Sequence, residues 1–236
     1  MPNPSGPYPG RQLFLGLTVE KRPCLAYLVT GRSQESRQRK AIQIDNTVRI
    51  GPIGDAPYDP LRHYTAMKYD NRAGIAVVSN GIQTEAIYET YRLMFNVAAP
   101  PKKDFMEKLL DGANAEPDTL HTPRIAAACI ANLDNPVIII GIKTHDSPAD
   151  VRDIMAPPPG NIVGFSTYRG NLENPEPADT RSPLATLAFD GKTPQDLAKY
   201  LYDISAADYK GDDIRVCAVA GIYSRRSWDI AIINKH

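Results

Sequence analysis

The sequence carries no excess charge of either sign. Lysine plus arginine and aspartate plus glutamate each number 27 in a chain of 236 residues, so the formal charge is zero. No overall basic field exists to hold nucleic acid or an anionic membrane, and any anion affinity must come from local clusters. Cysteine is scarce: Cys24, Cys129 and Cys217 are odd in number and far apart. That excludes a disulfide framework and the closely spaced pairs of a zinc site, and it suits a reducing cytoplasm. Long apolar runs are missing as well. The apolar runs present, such as Val137 to Ile142, are far too short to cross a bilayer. The Pro- and Gly-rich stretch from Met1 to Gly10 lacks the apolar core of a secretory signal. Familiar catalytic signatures are absent too: no GxxxxGK[ST] loop, no GxGxxG, no HExxH and no serine elbow. His63, His121, His145 and His236 are scattered, without a metal-ligand spacing.

What is present bounds the fold. With 42% hydrophobic and 23% charged residues, the chain can bury a sizeable core, and one large domain over residues 10–236 is expected. A flexible arm over residues 1–9 precedes it. Short β-like runs come first: Gln12–Leu17, Cys24–Thr30, Ala41–Ile44 and Thr47–Ile50. Tyr64–Tyr69 and Ile75–Ser79 form a hairpin around a polar tip. Helices follow at Gln83–Phe95, with Ile87, Leu93 and Met94 near one face and Tyr88 and Tyr91 beside it, and at Lys103–Leu110.

Strands return at Ile125–Ala131, Val137–Ile142 and Ile162–Thr167, the first two joined through Asn132–Pro136. Asn171–Pro183 is a long polar loop. Thr193–Ile204 is a helix with a capping Thr193 and Pro194 in the first turn. Val216–Ile222 and Trp228–Ile233 close the chain as a hairpin. This order is not a βαβα alternation. It predicts an α+β layered fold of mostly antiparallel sheets with helices packed outside.

Three polar islands carry candidate chemistry. Thr30-Gly31-Arg32-Ser33, followed by Arg37, Arg39 and Lys40, sits just after a strand. Guanidinium forks and a hydroxyl there can grip a phosphate, although a solvated basic loop is the plainer reading. Val77-Val78-Ser79-Asn80-Gly81 ends a buried strand before a helix. Its amides can meet an anion or a base edge, or Asn80 can simply cap the helix. The third runs from Glu116 to Ala128 and concentrates Glu116, Asp118, His121, Thr122 and Arg124 before a strand of small residues. A ligand or another sheet can pack closely against such a strand.

These blocks carry a resemblance. Gly10-Arg11 together with Ala26-Tyr27 and Arg32-Ser33, then Val77–Gly81, then Leu120–Ala128 resemble, in order, three blocks of the archaeal-type IMP cyclohydrolases, and Ser166-Thr167-Tyr168 looks like a fourth, weaker one. The first three cover roughly residues 10–130. Extra residues lie at the N-terminus, near residues 70–73 and in the regions 144–160 and 169–183.

The resemblance implies a four-layer αββα sandwich like that of N-terminal nucleophile hydrolases. No N-terminal nucleophile fits, since residue 2 is Pro, so the amidase chemistry is not expected with it. The implied reaction is closure of 5-formamidoimidazole-4-carboxamide ribonucleotide to IMP with loss of water, a step of purine biosynthesis that needs no metal or other cofactor. Implied site residues are Arg32, Arg37 and Ser33, with Arg11 as a further candidate, on the 5′-phosphate. Tyr64 is implied as a proton relay and Glu116 as the group that holds or deprotonates the carboxamide. Asn80, Thr122 and Arg124 would contact ribose, base or formyl group. The expected partners are the purine ribonucleotide, its product and further copies of the chain. Three other functions stay open at this point: a non-catalytic purine-nucleotide-binding protein, an amide hydrolase and a purely structural or interaction module.

Overall fold

A computed structural model describes residues 8–131, 135–179 and 181–236. Residues 1–7 of the expected arm, residues 132–134 of the expected strand connection and residue 180 of the expected long loop lie outside the described residues.

In chain order the first half contains β1 (Arg11–Leu17), β2 (Pro23–Thr30), a short α1 (Gln34–Arg37), β3 (Arg39–Ile44), β4 (Thr47–Pro52), β5 (Tyr64–Asp70), β6 (Ile75–Ser79), α2 (Gln83–Asn96) and α3 (Lys103–Ala113). Then come β7 (Arg124–Ile130), β8 (Val137–Lys143), β9 (Asp150–Ile154), β10 (Asn161–Ser166), β11 (Tyr168–Gly170), β12 (Pro175–Pro177) and β13 (Ala185–Ala188). The chain ends with α4 (Pro194–Ile204), β14 (Asp208–Tyr209), β15 (Asp212–Asp213), β16 (Arg215–Ser224) and β17 (Ser227–Asn234). β3 to β9 form a seven-stranded meander, and a six-stranded sheet runs β13-β10-β1-β2-β16-β17. Every strand pairing among the described residues is antiparallel. The α+β class and the antiparallel sheets are as the sequence predicts.

Strand alternation explains where the core sits. Successive side chains of a strand point to opposite faces, so a strand buried at every position must be covered on both. β7 is such a strand, buried at all seven positions. Ile125, Ala127 and Cys129 join a cluster that also holds Leu25, Tyr27 and Val29 of β2. Ala126, Ala128 and Ile130 join a second cluster with Ile87, Tyr91, Met106 and Leu110 of α2 and α3. β2 behaves likewise, its Cys24, Ala26 and Leu28 joining Leu197, Ala198 and Leu201 of α4 in a third cluster. The two sheets therefore share one apolar interior, while α2 with α3 and α4 cover the opposite faces.

Small residues set these distances. A Cβ added to Gly141 of β8 would lie 2.6 Å from Leu110 Cδ1, so α3 could not pack as closely. At one margin Asn234 acts as an extra strand residue. Its side chain accepts from Ala41 N at 2.8 Å and donates to Ala41 O at 3.0 Å, joining β17 to β3.

Several expected elements are corrected in detail. On α2 the buried stripe is Ile87, Tyr88, Tyr91 and Met94, and Leu93 is 61% exposed. At 3.6 residues per turn, position 93 falls well off the face of 87, 91 and 94. The segment 144–160 contains β9, and the Asn171–Pro183 loop contains β12, paired to β11. Tyr8 and Pro9 are tied down: Tyr8 is buried and stacks on Tyr168 at 5.5 Å, and Pro9 O accepts from Tyr168 N at 3.2 Å. Among the described residues no helix is long and apolar enough to cross a membrane.

α4 starts as read from the sequence. Thr193 Oγ1 accepts from Asp196 N at 3.1 Å, and the Asp196 carboxylate accepts from Thr193 N at 2.9 Å. This reciprocal box satisfies two free donors of the first turn. Thr193→Ala is expected to cost about 1 kcal/mol, a fall of roughly 2–4 °C in Tm for a chain of this size. Thermal melts followed by circular dichroism check this; an unchanged Tm would contradict it.

Candidate active site

Antiparallel pairing brings distant parts of the chain to one end of the sheets. Arg11 opens β1 opposite the end of β2, and Gln12 pairs with Ser166 at the end of β10. Ser79 ends β6 opposite the start of β7. The Thr30–Ser33 island, Asn80, Arg124 and Thr167-Tyr168 all follow or precede these strand ends.

Glycine makes the approach possible at two points. Gly10 has φ +69°, and a Cβ there would lie 2.5 Å from both Thr167 Oγ1 and the Tyr168 ring. Only glycine takes this conformation in this space. Gly81 leaves room for Arg124, whose Nη1 would be 2.2 Å from an added Cβ.

The centre is Glu116, 2% exposed. Its Oε1 accepts from Arg11 Nη2 at 2.7 Å, Arg124 Nη1 at 3.1 Å and Asn80 Nδ2 at 3.2 Å. Oε2 has no hydrogen-bond partner among the described residues. Asn80 is itself fixed, donating to Pro123 O at 2.9 Å and accepting from Ile125 N at 2.8 Å. Desolvation works against the Arg11 cation, but Glu116 and the hydroxyls of Tyr64, Tyr27 and Tyr168 outweigh it and hold its pKa well above the ordinary value. At Arg124 burial dominates and lowers the pKa, with Glu116 opposing.

A second chain of bonds runs beside this one. Thr122 Oγ1 donates to Asp118 Oδ2 at 2.5 Å, and Thr122 N donates to Asp118 Oδ1 at 2.8 Å. Thr122 Oγ1 also meets Tyr168 Oη. A threonine hydroxyl has one proton. Since it goes to Asp118, Tyr168 is the donor to Thr122, and the remaining capacity of its oxygen is to accept. Burial raises the Tyr168 pKa, so it stays a phenol.

One cavity collects Arg11, Arg32, Ser33 and Glu116, together with Tyr8, Ser36, Arg39, Arg62, Asp118 and Tyr168. Arg32 is held by Leu172 O at 2.8 Å and Glu173 O at 3.2 Å, and lies over the rings of Tyr8 and Tyr209. Asn80, Thr122 and Arg124 stand behind the lining as supports of Glu116 and Asp118. Tyr64 does not line this cavity. It lines a second groove with Tyr58, His63 and Thr65, and its hydroxyl lies 2.6 Å from Tyr27 Oη. It is nonetheless close enough to influence both Arg11 and Arg124. Arg37 is turned away: it donates to Arg32 O at 2.6 Å and Asp212 Oδ2 at 2.5 Å, so it braces the loop that carries Arg32.

Sequence reasoning gave no role to Arg39, Ser36, Arg62 or Tyr168. Arg39 stood within the basic island and Tyr168 within the fourth block, so the signal was present without its geometry. The three thiols are free and buried. Desolvation pushes Cys24 and Cys217 up to about 12, which suits packing rather than nucleophilic chemistry. Among the described residues no group of three or more His, Cys, Asp or Glu could hold a metal ion.

Fold and site together define an α+β protein with an arginine-rich cavity around one anchored carboxylate. The family model described as "IMP cyclohydrolase-like protein" matches residues 8–227, and the chain belongs to that family. The IMP cyclohydrolase of Haloarcula marismortui is 28% identical over 94% of this chain and 99% of its own length. That of Methanocella arvoryzae is 27% identical over 87% and 94%. That of Methanocaldococcus jannaschii is 36% identical over 59% of this chain and 63% of its own length.

Two outcomes follow from the site's electrostatics. Glu116→Ala would strand two buried guanidiniums and is expected to cost about 3–5 kcal/mol, seen as a lower midpoint in urea; a loss under about 1 kcal/mol would contradict it. Burial also pushes the Tyr27 phenol well above its ordinary value of 10.0. The unfolded chain therefore loses this proton first as pH rises. The stability it contributes is complete below about pH 10 and declines above it. Tyr27→Phe should flatten that alkaline decline in urea titrations, and an unchanged slope would contradict the assignment.

Proposed function

We propose that the chain is an IMP cyclohydrolase, closing the purine ring of 5-formamidoimidazole-4-carboxamide ribonucleotide with loss of water. The observation that carries this reading is the single cavity uniting Glu116 and Arg11 with Arg32 and Ser33, in a chain of this family. We also read the two sheets and their covering helices as the four-layer αββα arrangement of N-terminal-nucleophile-type folds. The three free, buried thiols support a reducing cytoplasmic setting. Exposed Ile42, Ile44 and Ile82 beside the second groove support self-association.

In the reaction the carboxamide nitrogen attacks the formyl carbon and forms the new C–N bond. The nitrogen gives up a proton and the formyl oxygen gains one. The resulting carbinolamine loses its hydroxyl with a second nitrogen proton as water. An amide nitrogen is a poor nucleophile, so orientation supplies much of the rate.

Glu116 suits that task. Three donors fix Oε1, which leaves Oε2 to accept from the carboxamide N–H and aim the nitrogen. Tyr64, which lines the neighbouring groove but is close enough to influence Arg11 and is backed by the Tyr27 phenol, is assigned the relay of the proton to the formyl oxygen. Arg32 grips the 5′-phosphate, and that remote binding energy holds the reacting groups together.

The test is formation of IMP from the formamido ribonucleotide, followed by absorbance. Wild-type protein is expected to turn over. Glu116→Gln and Tyr64→Phe should each lower kcat by about 10²-fold or more. Arg32→Ala should act mainly by raising KM. Nucleotide binding without turnover would leave a non-catalytic binding protein, and variants with wild-type kinetics would remove the assigned roles.

A further inference from the structure

Arg39 is the cation in this cavity that its own surroundings do not explain. It opens β3 and is 2% exposed. Its Nε donates to Ser36 O at 2.8 Å and its Nη1 to Arg62 O at 3.5 Å. Among the described residues no carboxylate pairs with it, and its Nη2 has no partner. The neighbouring cations differ: Arg11 is paired with Glu116, Arg62 with Asp59 and Arg37 with Asp212. Arg32, like Arg39, has no carboxylate partner among the described residues: it is held by two carbonyls and lies over two rings.

A buried guanidinium without an anion carries an uncompensated desolvation cost. Arg39 and the half-buried Arg32 line the same cavity without a carboxylate partner among the described residues, so an anion from outside fits there. The donors specify which kind. Ser33 Oγ accepts from Ser36 N at 3.1 Å and donates to Ser36 Oγ at 3.1 Å. Ser36 Oγ thus accepts that bond and keeps its own proton to donate. Two forked cations and a hydroxyl outnumber the two oxygens of a carboxylate and match the three oxygens and double charge of a phosphoryl group.

We propose that Arg39, with Arg32 and the Ser36 hydroxyl, forms the phosphate subsite of this protein. Arg39 takes the position that the sequence suggested for Arg37. This assignment rests on the nucleotide reading above for the identity of the phosphate's carrier, but its geometry is independent of turnover. The ligand's phosphate completes a charge balance that the chain leaves open, so binding should depend steeply on the phosphate.

The experiment is calorimetric titration of wild type and Arg39→Met with IMP, with inosine and with inorganic phosphate. Truncating one partner of a buried charged contact costs at least about 2 kcal/mol, or roughly thirtyfold. Arg39→Met is therefore expected to weaken IMP and phosphate by at least that factor and to leave inosine unchanged. Equal loss for IMP and inosine, or no loss for IMP, overturns the subsite. If Arg39→Met does not fold, Arg39→Lys serves, since it keeps the charge without the fork. It should weaken IMP by about tenfold and spare inosine, and wild-type affinity for IMP overturns the proposal.

Turnover is measured in parallel to separate the two claims. A wild type that binds IMP through Arg39 but makes none from the formamido ribonucleotide keeps the subsite and removes the ring-closing reading. A wild type that turns over while Arg39→Met retains full IMP affinity does the reverse. Binding of neither IMP nor phosphate by the wild type overturns both.

Discussion

The buried carboxylate of Glu116 is the constraint around which the site is organised. One oxygen gathers Arg11 from the six-stranded sheet, Arg124 from the seven-stranded sheet and Asn80 from the turn between β6 and α2. The apolar interior presses the two sheets together without fixing their register at this end, because hydrophobic contact is non-directional. The charged hydrogen bonds supply the direction. Glu116 itself is held from its backbone, where its N–H donates to Thr122 O at 2.8 Å. The loop carrying Asp118 and Thr122 is therefore part of the same unit.

Much of the fold was legible because the strands obey period-two burial and the turns carry their own chemistry. Ile75–Ser79 is the strand the sequence predicts, and α4 begins at its predicted cap. The last hairpin turns through Arg225 and Arg226, both at positive φ, between the two strands expected to form it. What stayed hidden was decided by pairing rather than by local pattern. β9 holds a single buried residue, Val151, and β13 none, so neither shows an apolar alternation. Each exists because it pairs with β8 or β10. The same reasoning separates Arg37 from Arg39. Both lie in the basic island, and only the turn of α1 into β3 decides that one braces the loop while the other reaches the cavity.

Two populations of arginine share this small region. Arg11, Arg62 and Arg124 answer to carboxylates of the chain itself, and they shape the site whether or not anything is bound. Arg39 answers to carbonyls and Arg32 to carbonyls and rings, which orient a guanidinium without neutralising it. Of the nine residues that the resemblance implies, Arg11, Arg32, Ser33 and Glu116 line one cavity, whereas Tyr64 lines the second groove and Arg37 braces the loop. The resemblance could not sort the cations by what neutralises them, since that depends on contacts between β1, the loop after β2 and the segment near Asp59.

Hydrogen-bond polarity then limits what the cavity accepts. Arg32, Arg39 and Ser36 present donors. Glu116 Oε2 presents an acceptor. Tyr168 does too, because its own proton is committed to Thr122 and, through it, to the Asp118 carboxylate. A ligand satisfying both sets needs an anion with several oxygens and, separately, N–H or O–H groups to donate. A phosphate ester bearing a carboxamide and a sugar has both. A plain dicarboxylate lacks the donors, and an unphosphorylated nucleoside lacks the anion. The donor–acceptor sorting of the cavity thus suits the kind of molecule that the family's chemistry calls for.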